Sequence, residues 1–180
     1  MGVRARCQVQ WLDRSAGGLV CLYAGADFTG VLQADAFAGY AELYRSGRIR
    51  EAGCMAHARR KLHDLHAVRP SSITTEALER IGALYRIEEH IRGKPLEERR
   101  HIRQTQAAPL LDELKQWFEA TQLTLSAKSD TTKAIQYALN RWPALAYYCS
   151  DGQAEIDNLI AERGVARCRN WQTQLSLRRC

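Results

Sequence analysis

The sequence predicts an α/β fold in which a short buried strand precedes a long, mainly helical region. Thr29 to Leu32 is a run of apolar and β-branched residues, with Gly30 inside it and Gly39 after it, as expected of a short buried strand. From residue 58 to about residue 152, apolar residues recur near the helical period of 3.6. The chain has 180 residues, of which 46% are hydrophobic, and is therefore long enough for one domain with a sizeable core.

Asp35 follows the predicted strand directly and is the first candidate functional residue. An acid at the carboxyl end of a buried strand occupies the position where α/β folds place their chemistry, since the loop there opens into a crevice. The same residue also suits the N-cap of a helix beginning near Ala36, because aspartate is a favoured N-cap. The local pattern leaves both interpretations open.

The helical region divides at its proline and glycine residues. The pattern predicts helices over His57 to Val68 and Thr75 to Ile91, the second ended by Gly93, while Leu96 to Gln106 is polar and expected to be exposed. Two further apolar faces are formed by Leu110, Leu111, Leu114, Trp117 and Phe118, and by Ala134, Ile135, Ala138, Leu139 and Trp142. These stripes indicate helix packing and not a cofactor site.

A last helix is predicted over Gln153 to Ala166. Asn158 and Glu162 are four residues apart and would lie one turn from each other on one helix face. A helix could therefore present Glu162 to an acid at a strand end, with the Asn158 amide beside it to orient the carboxylate or a metal-bound water. The alternative is that Glu162 belongs to a solvated Glu-Arg pair.

The charge distribution favours a polyanionic partner. The 26 basic residues exceed the 20 acidic ones, which gives a net charge of +6, and basic residues flank both candidate acids. Since a phosphate-rich ligand suits that arrangement, nucleic-acid contacts are predicted at five positions. They are Arg59, Arg60, Lys61, Arg163 and Arg167.

The six cysteines form no Cys-x-x-Cys pair and are interpreted as reduced, structural thiols. Cys54 with His57, His63 and His66 suggests a metal cluster, but the spacing matches no common zinc pattern. No apolar run approaches the roughly 20 residues needed to span a bilayer, and no signal peptide is recognised, so a cytoplasmic protein without a membrane partner is expected.

Two long segments carry a family resemblance. Residues 30–40, GVLQADAFAGY, and residues 47–61, GRIREAGCMAHARRK, resemble in order and spacing the region around the second catalytic Asp of the insertion-sequence-66 family of transposases and its following Cys-Trp-Ala-His-x-Arg-Arg-Lys segment. Three further blocks resemble the family in the same order. They are residues 91–99, residues 134–142, and residues 155–158 with 161–163.

The resemblance implies DNA transposition by a ribonuclease-H-like fold with an Asp-Asp-Glu triad and two Mg²⁺ or Mn²⁺ ions. Matched by position, Asp35 is the second acid and Glu162 the third, both metal ligands, and Asn158 supports them. Both carboxylates must reach the same pair of ions, so they are expected within about 8 Å of each other. The implied partners are DNA, further copies of the transposase and accessory proteins of the element.

The departures from the family pattern set the expected boundaries. The family's first Asp lies in an Asp-Glu-Thr motif that is missing from residues 1–34, where Asp13 and Asp27 are the only acids. We therefore expect a truncated or frame-shifted copy. Its segments are an unmatched segment 1–27, a partial catalytic domain 28–171 with a helical insertion 58–152, and an unmatched tail 172–180.

These departures make catalysis by this polypeptide alone doubtful. Two alternatives to a catalytic fragment stay open. One is a non-catalytic DNA-binding or regulatory module that uses the basic face. The other is a helical interaction protein.

Overall fold

The computed structural model describes residues 30–33, 44–45, 47 and 49–158. Two short strands, β1 (Gly30–Gln33) and β2 (Ile49–Ala52), are followed by a series of helices. These are α1 (Met55–Val68), α2 (Ser72–Ile91), α3 (Leu96–Ile102), a π-helical turn (Arg103–Ala107), α4 (Ala108–Thr124), α5 (Asp130–Asn140), α6 (Trp142–Ala146) and a 3₁₀ turn (Tyr147–Cys149).

The two strands form a parallel pair, with Gly30 opposite Ile49 and Gln33 opposite Ala52. The predicted strand is confirmed over most of its length, although the observed strand ends one residue later, at Gln33. Since parallel strands run in the same direction, their carboxyl ends, Gln33 and Ala52, lie side by side at one edge of the sheet. The described strands agree with a mixed α/β fold, and the ribonuclease-H-like topology stays a prediction.

The predicted helices at 57–68 and 75–91 are confirmed, each with an earlier start. α2 begins after Ser71, whose hydroxyl accepts from the Thr74 N–H at 3.2 Å, while Thr74 Oγ1 accepts from the Ser71 N–H at 3.1 Å. This reciprocal capping satisfies two backbone donors that the helix itself leaves unpaired. Ser129 caps α5 through the Thr132 N–H at 3.0 Å.

The core lies between α1, α2, α4 and α5, which pack against one another through their apolar faces. The two apolar stripes that the sequence assigned to helix packing supply much of this core, including Leu111, Leu114, Phe118 and Ile135. Trp142 is also buried, at the start of α6, and meets the Phe118 ring edge-on with centroids 6.1 Å apart. No helix in the described ranges is long and apolar enough to cross a membrane.

The expectation that Leu96 to Gln106 is exposed is wrong at Arg103, which has no exposed surface. The range contains α3 and the first part of the π-helical turn, and Arg103 is the first residue of that turn. A charged side chain is buried only when charge and hydrogen-bond partners are supplied around it. Distant parts of the chain supply them here, so the polar local sequence did not reveal the burial.

The helix predicted to begin at Gln153 is also corrected, because residues 151–158 form bends and extended chain. Their backbone groups are bonded to distant residues. The Ala154 carbonyl accepts from Arg103 at 2.7 Å, and the Ile156 carbonyl accepts from the Met55 N–H at 3.0 Å. A backbone carbonyl that already accepts a hydrogen bond from a distant residue does not need the hydrogen bond of a helix. We call residues 151–158 the connecting segment.

Candidate functional site at the carboxyl edge of the sheet

The connecting segment lies against the edge of the sheet at which both strands end. The Gln33 side-chain amide, at the end of β1, donates to the Glu155 carbonyl at 2.7 Å and to the Gly53 carbonyl at 3.5 Å. These bonds join three parts of the chain that are far apart in sequence. The end of β1, two residues before Asp35, therefore contacts the connecting segment, which precedes Glu162 in the sequence.

Asn158 is buried beside the start of α1. The Cys54 thiol donates to Asn158 Oδ1 at 2.9 Å, and burial raises the pKa of that thiol, which keeps it protonated and able to donate. Because the amide oxygen is engaged, the group that Asn158 can offer to a neighbouring carboxylate is its NH₂ donor. That donor suits the orienting role predicted for Asn158, although the predicted helix does not include it.

Asp157, next to Asn158, is held from a different helix. The Tyr85 hydroxyl of α2 donates to Asp157 Oδ2 at 2.9 Å. Burial raises the pKa of Tyr85, and the nearby Asp157 carboxylate raises it further, so the hydroxyl stays protonated. Neighbouring residues of the connecting segment are thus attached to α1 and α2. Sequence reasoning missed this contact, since neither residue alone signals a partner 72 positions away.

Arg103 organises the start of the connecting segment. Its guanidinium forms two hydrogen bonds to the Glu88 carboxylate, Nε to Oε1 at 2.8 Å and Nη2 to Oε2 at 2.6 Å. Nη1 donates to the carbonyls of Tyr148, Asp151 and Ala154 at 3.3, 2.9 and 2.7 Å. One buried side chain therefore joins α2 to an irregular stretch of backbone, and its planar fork suits this simultaneous bonding.

A second arginine reinforces the same stretch. Arg99 of α3 donates through Nη2 to Glu155 Oε1 at 2.8 Å, and the Arg99 side chain is only 12% exposed. Together Arg99 and Arg103 hold both ends of the run 151–155. In the sequence, Arg99 and Arg103 were only members of the polar range Leu96 to Gln106, which was expected to be exposed.

The two predicted catalytic acids, Asp35 and Glu162, lie outside the described residues, as do Arg163 and Arg167. Within the described ranges, no group of three or more His, Cys, Asp or Glu residues is placed to hold a metal ion. Cys54 and Cys149 are both buried and free.

The three predicted nucleic-acid-binding residues of α1, which follow one another in the sequence, are exposed. Arg59, Arg60 and Lys61 form no ion pair with any carboxylate of the described residues. The Lys61 ammonium lies 4.5 Å from the centroid of the Tyr137 ring, on α5. This part of α1 consequently presents positive charge that other described residues do not neutralise.

Comparison with known proteins assigns the family. The family model described as "Transposase IS66 family" matches residues 13–171, which is most of the chain. This chain belongs to the IS66 transposase family. The match begins upstream of Phe28, where the sequence resemblance was placed, and it ends at Trp171, as the sequence indicated. No solved structure matches the chain significantly.

Curated relatives of this IS66-family chain come from Sinorhizobium fredii. The chain is 36% identical to the uncharacterized protein y4qI over 147 residues. This alignment covers 78% of this chain and 27% of that protein. Over 146 residues it is 36% identical to the uncharacterized protein y4jD, covering 78% of this chain and 29% of that protein. The chain thus spans under a third of the length of these relatives.

Proposed function

We propose that this IS66-family chain is the part of a transposase that brings two catalytic acids, Asp35 and Glu162, to the carboxyl edge of the sheet. The observation that supports this most directly is the 2.7 Å hydrogen bond from Gln33 to the Glu155 carbonyl. Asp35 follows Gln33 by two residues, so its Cα is within about 7 Å of the Gln33 Cα. Glu162 follows Asn158 by four residues, a reach of at most about 14 Å.

The donor set suits a hard divalent cation. Asp35 and Glu162 would hold it through carboxylate oxygens, the ligands that Mg²⁺ and Mn²⁺ prefer, and the Asn158 NH₂ group would orient one of these carboxylates. When bound, a pair of such ions would activate the attacking hydroxyl and stabilise the leaving oxygen of a phosphodiester. The residues of the chain supply position: Cys54 fixes Asn158, and Gln33 fixes the backbone beside it.

Metal binding by this chain tests the two acids without requiring activity. Titration with Mn²⁺, followed by electron paramagnetic resonance, should show weak binding that Asp35→Asn and Glu162→Gln each remove. Asp64→Asn is the control, because Asp64 is an exposed acid on α1. If Asp64→Asn lowers Mn²⁺ binding as much as the other two variants, the assignment of the site is wrong. A crystal structure with Mn²⁺ that places the two carboxylates well beyond about 8 Å from each other would contradict it too.

Strand transfer by this 180-residue polypeptide itself is expected to be undetectable. Two of the three acids of the implied triad are identified in it, and positioning and charge stabilisation supply nearly all of phosphoryl-transfer catalysis. An oligonucleotide joining assay in Mg²⁺ or Mn²⁺ tests this. Joined product that disappears with Asp35→Ala would show that the polypeptide is active, and loss with Asp27→Ala as well would identify a substitute first acid.

DNA binding without catalysis is the second candidate function, and the exposed cations of α1, which pair with no carboxylate among the described residues, favour it. Non-specific contacts to the phosphate backbone give dissociation constants on the order of 10⁻⁴ to 10⁻⁶ M at physiological salt. A filter-binding titration should show weak retention that falls steeply with salt and differs little between DNA sequences. Retention that does not depend on salt would contradict phosphate contacts and favour a protein-interaction surface.

A further inference from the structure

We propose that the groove beside α5 is a second contact surface for the phosphate backbone of duplex DNA, continuous with the exposed cations of α1. This inference rests on the proposed DNA binding and adds a site to it. The groove has a volume of about 470 Å³ and is open to solvent. It is lined by Ala127, Thr132, Lys133, Gln136, Tyr137 and Asn140.

The position of these side chains follows from helix geometry. Lys133, Gln136 and Asn140 are spaced by three and four residues along α5, so they project from one face. The distance along the axis from Lys133 to Asn140 is about 10 Å, since each residue adds about 1.5 Å. Each strand of a DNA duplex carries one phosphate per roughly 3.4 Å of helix axis, so this length corresponds to about three base pairs.

The groove offers donors for phosphate oxygens. The Lys133 side chain is 66% exposed, and Gln136 Nε2 donates to Asn140 Oδ1 at 2.7 Å, which leaves the Asn140 NH₂ group as a further donor. Lysine, asparagine and glutamine side chains all bond to phosphate oxygens in protein–DNA interfaces. The lining thus combines a charge with hydrogen-bond donors, and Ala127 and the Tyr137 ring supply its apolar part.

Asp130, the acid that pairs with Lys133, does not cancel the charge of the groove. Lys133 Nζ lies 2.8 Å from Asp130 Oδ1, and this contact lowers the pKa of Asp130. Both groups are highly exposed, so solvent and salt screen their attraction. A phosphate can therefore replace or share the Asp130 contact.

Tyr137 connects the groove to α1. Its ring lines the groove, and both the Lys61 ammonium and the Arg141 guanidinium approach it, at 4.5 and 5.5 Å from the centroid. The Arg141 guanidinium also lies 3.3 Å from Glu51 Oε1, whereas Lys61 pairs with no carboxylate among the described residues. Positive charge therefore runs from α1 across the tyrosine ring to Lys133. A duplex lying on α1 would meet this groove without a change in fold.

The test compares two lysines in matched settings. Lys133 pairs with Asp130 in the groove, and Lys115 pairs with Glu119 at 3.7 Å on α4, outside it; their side chains are 66% and 44% exposed. We expect Lys133→Gln to weaken binding of a random-sequence 20-base-pair duplex and to reduce the slope of log K against log salt by about 0.9, the value for one phosphate contact. Lys115→Gln should leave the slope unchanged. Asn140→Asp should also weaken binding, by adding negative charge.

The outcomes separate this inference from the proposed function. If the wild-type protein binds DNA and Arg60→Gln lowers the slope while Lys133→Gln matches Lys115→Gln, the groove is not a DNA surface, although α1 is. If the wild-type protein retains no DNA at low salt, the groove surface and the proposed DNA binding are both overturned. A self-association that Lys133→Gln disrupts, seen by sedimentation equilibrium without any effect on DNA binding, would assign the groove to a second copy of the chain instead.

Discussion

Helix α5 and the connecting segment, residues 151–158, satisfy their backbone in opposite ways. α5 bonds to itself, is capped by Ser129 and buries a regular apolar stripe. The connecting segment has no regular structure, and Arg103, Gln33 and Met55 supply the hydrogen-bond partners of its backbone carbonyls. A helix of the first kind depends on nearby sequence, whereas a segment of the second kind depends on distant side chains. The difference predicts that single substitutions far from the connecting segment can disorder it.

The largest effect is expected from Arg103→Met. The variant keeps an apolar stem but removes five hydrogen bonds and leaves the Glu88 carboxylate buried without its partner. Breaking a buried ion pair from one side costs about 3–5 kcal/mol. The measurement is urea unfolding monitored by circular dichroism.

Arg100→Met is the matched control for Arg103. Arg100 lies three residues earlier and is exposed, with an ion pair to Glu97 at 2.6 Å on the surface of α3. Its loss should cost less than about 1 kcal/mol. Equal effects of the two variants would contradict the view that Arg103 holds the connecting segment.

A smaller effect on stability is expected from replacing a glycine by alanine, with opposite sign in the connecting segment and in a regular helix, here α2. A Cβ at Gly152 would clash with the backbone of Leu96, first with its carbonyl oxygen, so backbone must move, and such overpacking costs about 1–3 kcal/mol. A Cβ at Gly82, inside α2, meets only the end of the Arg86 side chain at 3.6 Å.

Gly82→Ala should therefore stabilise the protein by about 0.5–1 kcal/mol through helix propensity, while Gly152→Ala destabilises it. Thermal unfolding of both variants gives the comparison. A stabilising Gly152→Ala would mean that the connecting segment adapts freely and is not fixed by its neighbours.

An effect similar in size to that of Gly152→Ala is expected from Tyr85→Phe. Removing the hydroxyl takes from the buried Asp157 a donor at 2.9 Å, and a buried polar group that loses a bond costs about 1–3 kcal/mol. Tyr147→Phe is the control with the same pair of residue types, since the Tyr147 hydroxyl reaches Asp151 at 3.4 Å, too long for a strong bond. Urea midpoints that shift equally for both variants would show that the Asp157 contact has no special role.

The family was predicted from the sequence alone, because a family resemblance depends on the identity and order of residues. The segments around Asp35 and Cys54 carried the resemblance, and the family match includes both. Helix bounds were predicted within three residues at the starts of α1 and α2, where periodicity and capping residues are local signals. The same reasoning failed for residues 153–158 and for Arg103.

The sequence by itself determined the family, the first strand and the helices with regular apolar faces, because the chemistry of each of these is contained within a short stretch of chain. Only the tertiary structure decided that Arg103 is buried, that residues 151–158 are not helical, and that Cys54 engages Asn158 across 104 positions. In these places the backbone and polar groups have their partners in distant elements. A hydrogen bond between residues far apart in sequence leaves no periodic pattern in either one, so folding must bring the two together before the preference of either becomes visible.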